Sequence, residues 1–110
     1  MSNVPLAESA STTAGADGIA RVQMGPLRAF ETWDVRSTTV SSTSSTLVPT
    51  ARLYRGAEQA SRLIDGTYTG TLDTTDTAYK LRSGDKVIAV FTGCDVGAQC
   101  TVTVEGESTR

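Results

Sequence analysis

Between Cys100 and Glu105 the chain reads CTVTVE, with Cys100, Val102 and Val104 at one parity and Thr101, Thr103 and Glu105 at the other. Side chains of a strand point alternately to its two faces, so this segment fits a strand with one face in a core and one in water. Upstream, Val87 to Phe91 reads VIAVF, a continuous apolar run of strand length. Such a run predicts a central strand buried on both faces, or on one face with a partner against the other. Turn-forming residues punctuate the chain at Gly25-Pro26, along SSTSST from Ser41 to Thr46, at Ser83-Gly84-Asp85 and within TGCDVGAQ from Thr92 to Gln99. A turn signal about every 8–12 residues predicts an all-β fold. The expectation is an antiparallel β-sandwich or jelly-roll-like barrel of about six to eight strands.

Ile19 to Met24 alternates weakly. Phe30, Trp33, Val35 and Val40 belong to one segment, but parity shifts between Phe30 and Trp33, which predicts a bulge or a late strand start. Ala51 to Arg55, ARLYR, places Ala51, Leu53 and Arg55 on one face and Arg52 and Tyr54 on the other. Tyr79 to Arg82 reads as a further strand. GAEQASRLI, Gly56 to Ile64, offers one helical turn in a loop, because it is too short for a stable helix. In LIDGTYTGTLDTTDT, Leu63 and Ile64 are expected to enter the core and Asp65-Gly66 to turn. Thr67 to Thr71 reads as a short edge strand, and Asp73 to Thr77 as a self-capped bend.

Residues 1–18, MSNVPLAESASTTAGADG, are small, polar and aperiodic. They read as an extended N-terminal arm, with the sandwich domain over 19–110. The apolar trio Val4, Pro5 and Leu6 is its only adhesive element: the arm is either a frayed terminus or a segment that docks on a partner subunit through those residues.

The chain has 110 residues, the size of one domain, and needs no metal or disulfide to close a core. Ser and Thr supply 29 of them, and Thr suits a pleated surface. The net charge of −2, with the ten basic residues scattered, argues against nucleic acid as a partner. MSNVPLAESA is neither basic nor continuously apolar, so the expectation is synthesis in a cytoplasm without a secretory signal and without a membrane span.

Histidine is absent. With it go the commonest general base, the Ser-His-Asp and Cys-His arrangements and the commonest transition-metal ligand. No catalytic residue, cofactor or metal is therefore expected. Asp73 and Asp76 lack the alternating oxygen series of a calcium loop and read as turn caps. GTYTG, Gly66 to Gly70, lacks the lysine and following helix of a phosphate loop. Trp33 with Tyr54, Tyr68 and Tyr79 could form a sugar-stacking platform. With only six aromatics in the chain, Trp33 reads rather as core. Cys94 and Cys100 enclose DVGAQ. A reducing cytosol keeps such thiols free, a disulfide across the ends of a hairpin requires Cα atoms within reach, and the spacing does not match a redox C-x-x-C pair.

Taken in order, LIDGTYTGTLDTTDT, LRSGDKVIAVFTG, DVGA and TVTVEG resemble small β-sandwich proteins encoded among the structural genes of tailed bacteriophages, especially those infecting actinobacteria. The likeness spans about Phe30 to Gly106. It implies a non-enzymatic virion component made in the host cytoplasm. The first expectation is a capsid decoration (cement) subunit bound to the major capsid protein and repeated as a homo-oligomer on the particle. A head–tail connector or tail-associated protein is the alternative, with a carbohydrate-binding or host-adhesion module as a further one. Cys94 and Cys100 depart from the glycine and small residue expected at those places, which makes an added staple, a Cys94–Cys100 disulfide, plausible within that family pattern.

Overall fold

The structure is a computed structural model that describes residues 3–26, 28–69 and 72–109, with the side chains of 65–69 outside the description. It is all-β: two antiparallel sheets pack face to face. Among the described residues there are nine strands: β1 (Asn3–Thr13), β2 (Ala20–Met24), β3 (Thr32–Ser42), β4 (Thr50–Arg55), β5 (Leu63–Thr69), β6 (Leu72–Thr75), β7 (Tyr79–Arg82), β8 (Val87–Thr92) and β9 (Gln99–Thr109). One sheet has the order β1-β9-β3-β6, with β7 also on β3; the other has β2-β8-β4-β5. The pairing is nested: β1 lies on β9, β2 on β8, β3 on β6 and β7, and β4 on β5. A ribbon folded back on itself and wrapped until β9 meets β3 and β8 meets β4 is a jelly roll.

The two strands that carried the sequence reading behave as their patterns require. In β9, Cys100, Val102 and Val104 are fully buried. Strand β8 is central in its sheet, with Val87, Ala89 and Phe91 facing the core. Its opposite face is covered by the chain itself: Ile88 and Val90 join Tyr54 and Ile19 in a satellite cluster beside the Arg21–Glu58 ion pair. Between the sheets Leu6, Trp33, Val35, Val40 and Leu81 meet Val22, Leu53, Val87 and Phe91. Each such large side chain contributes roughly 1.5–3 kcal/mol on burial.

Strand β3 starts late, at Thr32, and leaves Phe30 in a turn with φ 64°. A second parity change comes further on. Val35 pairs with Gly106 and Ser37 with Glu105, so Arg36 is an extra residue, a bulge. Trp33 and Val35 face inward before it, Thr38 and Val40 after it. The chain can bulge there because Gly106 lacks a Cβ: one added at that position would sit 2.0 Å from the Asp34 carbonyl oxygen.

Four expectations are corrected. The segment expected as an arm is strand β1 from Asn3 to Thr13, paired with β9 along its whole length. It turns Leu6 into the core, with Val4 half-buried and Pro5 exposed. Main-chain hydrogen bonding to β9 holds a sequence whose side chains carry little apolar pattern. Asp65-Gly66 is not a turn. Both lie within β5, whose register against β4 shifts twice, so extra residues are absorbed as bulges in a continuing strand. Of the bend expected from Asp73 to Thr77, Asp73 to Thr75 belong to strand β6, Leu63 is exposed, and Ile64 alone of the Leu63–Ile64 pair packs on the core. The expected reading of Gly70 and Thr71 lies outside the described residues. A single 3-10 turn at Ala60–Arg62 fills the place of the expected helical turn.

Candidate functional site

The strand register separates the molecule into two ends. At one end lie Asn3 and Thr109, which pair with one another, and residues 25–26, 28–31, 56–62 and 83–86. At the opposite end lie the connections 14–19, 43–49 and 93–98. This second end is organised by one side chain, Asp95.

Asp95 follows Gly93 and Cys94 in the loop between β8 and β9. Its Oδ2 accepts the main-chain N–H groups of Ser45 (2.8 Å) and Thr46 (2.9 Å), and its Oδ1 accepts that of Leu47 (2.9 Å). The main-chain N–H of Asp95 donates to Ser44 Oγ at 3.0 Å, and that hydroxyl donates to the Leu47 carbonyl at 2.8 Å. Ser44 is buried, and its own N–H is capped by Ser42 Oγ. The amides of Thr46 and Ser45, then those of Leu47 and the Ser44 hydroxyl, hold the Asp95 carboxyl below the usual carboxylate range.

The third loop is tied in through main chain. Ala14 N–H donates to Ala98 O, Gly97 N–H to Ala14 O, and Cys94 N–H to Gly18 O. Gly18 has φ +73°, and an added Cβ would stand 2.8 Å from the Cys94 carbonyl oxygen, so this approach requires glycine.

Three connections locked in this way present apolar side chains to solvent. Leu47, Val48 and Val96 are exposed, Val96 at 71%. Leu72, exposed as well, begins β6 opposite Ser41, toward the same end. The only charged residues in the three connections are Asp17 and Asp95. A shallow concavity of about 460 Å³ lies among them, lined by Asp17, Thr46, Leu47, Cys94 and Val96 with neighbouring small residues.

The other sequence candidates fall elsewhere. Val4, Pro5 and Leu6 are at the start of β1, at the end that holds Asn3 and Thr109. Trp33 is 6% exposed, Tyr54 is buried and Tyr79 half-buried, its hydroxyl bonded to Thr38 Oγ1 at 3.0 Å. The stacking platform is therefore not built from these three, and the Tyr68 side chain lies outside the description. Trp33 lines a second cavity of about 380 Å³ with Glu8, Gln23, Arg28 and the buried Glu31, which accepts a 2.7 Å bond from Ser108 Oγ. Asp73 caps the neighbouring Thr74 N–H. Among the described residues no three Cys, Asp or Glu side chains converge in a way that could hold a metal.

Cys94 and Cys100 are free thiols, both buried, with Sγ atoms 3.6 Å apart. They lie directly beneath the Asp95 loop. Sequence reading missed the Asp95 clamp. Its available signal was an aspartate flanked by glycines together with a Ser/Thr tract, both of which form local turns in most chains; nothing in the spacing says that the two meet. Comparison of the chain with protein-family models and with curated proteins finds no match.

Proposed function

We infer that the chain is a non-enzymatic structural protein of a bacteriophage virion, a decoration subunit that attaches to the capsid shell in many copies. The observation that carries this reading is the Asp95 end. Leu47, Val48 and Val96 stand exposed on two adjoining loops instead of being scattered singly, and adjoining exposed apolar residues mark interaction surfaces. The clamp fixes those loops before any partner arrives, which lowers the ordering cost of docking. Loops without a cation fit a protein surface better than a phosphate-bearing one. The major capsid protein enters as partner through the likeness of the Leu63–Gly106 motifs to phage structural proteins. Viral capsid and lectin domains both use jelly rolls, a likeness of architecture that supports the reading without specifying a ligand.

Mass spectrometry of purified particles tests it. A copy number on the scale of the shell lattice is expected. A number matching a single ring would move the protein to the head–tail connector, and its absence from particles would remove the virion reading. Leu47→Asp combined with Val96→Asp should abolish shell attachment and leave the circular dichroism spectrum unchanged. Undiminished attachment would show that this end is not the docking face.

A further inference from the structure

We propose that Cys94 and Cys100 are a built modification site: the folded protein closes them into an intrachain disulfide when it meets a disulfide oxidant such as oxidised glutathione. The two Sγ atoms are already in van der Waals contact at 3.6 Å, and a bond requires them to close by about 1.5 Å. Cys94 sits in a loop hinged by Gly93 and Gly97, both at positive φ, while Cys100 is fixed within β9 between Thr12 and Ser42. The adjustment therefore falls on the loop. Ser42 Oγ lies 3.4 Å from Cys100 Sγ, on the β3 side of the pair.

The chemistry balances with the oxidant named. The Cys94 thiolate attacks one sulfur of oxidised glutathione, forming a mixed disulfide and expelling a glutathione thiolate. Cys100 then gives up its proton and attacks the Cys94 sulfur. The Cys94–Cys100 bond forms, a second glutathione thiolate leaves, and the two protons end on the two glutathione thiols. Burial, with the neighbouring Cys100 adding to it, pushes the Cys94 thiol up to about 11, so the thiolate is scarce near neutrality and the exchange is slow. A chain folded in a reducing compartment keeps the dithiol and acquires the bond after it leaves.

The bond would staple the foot of the Asp95 loop and so remove opening motions from the whole clamped end. The inference stands on the two sulfurs and holds whatever that end binds. The test uses the full chain, folded and reduced, incubated with oxidised glutathione, then denatured and alkylated. Expected are the loss of both alkylation sites, a mass lower by two hydrogens, an internal link within the tryptic peptide spanning 87–110, and a thermal midpoint raised by roughly 10 °C. Cys94→Ser and, separately, Cys94→Ala should show no internal link. Two alkylated cysteines after prolonged incubation, glutathione adducts without an internal link, or cross-linked dimers would each overturn it.

Discussion

At the scale of single residues, Asp95 gives the chain a defined acid sensitivity. Its carboxyl is held below the ordinary value near 3.9 by the amides of Thr46, Ser45 and Leu47. A carboxyl depressed in the folded state stabilises fully above its unfolded value and loses that contribution as pH falls through the folded value. The Asp95 carboxyl carbon should titrate with a midpoint below about 3.9, and the amide resonances of residues 45–47 should move with the same midpoint. In Asp95→Asn those amides should exchange faster at neutral pH and show no such midpoint. Gly106 is a steric case. A methyl group there meets the Asp34 carbonyl oxygen across the bulge, so Gly106→Ala should lower stability by about 1–3 kcal/mol in a denaturant titration. Phe30 is a strained one. It holds φ 64° while 88% exposed, in a turn closed by the Glu31 N–H to Arg28 carbonyl bond, so Phe30→Gly should raise stability by about 1 kcal/mol.

At the scale of elements, what the sequence reveals depends on how each strand is held. Strands β8 and β9 are read from side chains alone, since Phe91, Val102 and Val104 must leave water and alternate accordingly. Strand β1 is opaque for the opposite reason. It is an edge strand with one neighbour, and NVPLAESASTT places a single large side chain, Leu6, fully in the core, so its fixation is a matter of main-chain pairing with a strand at the far end of the sequence. The same contrast explains the site: exposed Leu47, Val48 and Val96 look like ordinary loop residues until the Asp95 carboxylate joins two loops far apart in sequence. Removing residues 1–13 should therefore do more than trim a tail. It uncovers the β9 edge and removes Leu6, so the truncated chain should lose most of its stability or aggregate in gel filtration. A fully stable truncated domain would count against β1 as an integral strand.

At the scale of the whole molecule, nested pairing makes most contacts long-range. Strand β1 waits for β9, and β2 for β8, before either is covered. Such topologies fold slowly, on the ms–s scale, because loop closure precedes the reward of pairing. The innermost unit is the β4–β5 hairpin, whose connection 56–62 is exposed apart from the partly covered Ala57 and contains only a single 3-10 turn. Asn3 and Thr109 are register partners, and Thr109 Oγ1 bonds Asn3 Oδ1 at 3.0 Å. A circular permutant that joins Asn3 to Thr109 through a short linker and opens within 56–62 should fold to the same spectrum, because no strand pair is cut. Failure to fold would mean that the 56–62 connection is needed for nucleation.

The pairing of Asn3 with Thr109 has a practical side. The molecule extends 46 Å along its longest axis, with Asn3 and Thr109 at one end and the Asp95 clamp at the other. A peptide or enzyme attached before Asn3 or after Thr109 would leave from the same pole, away from the clamped loops. A chain held on any surface by its Asp95 end would thus carry both attachment points outward, ready to display two different cargoes on one scaffold.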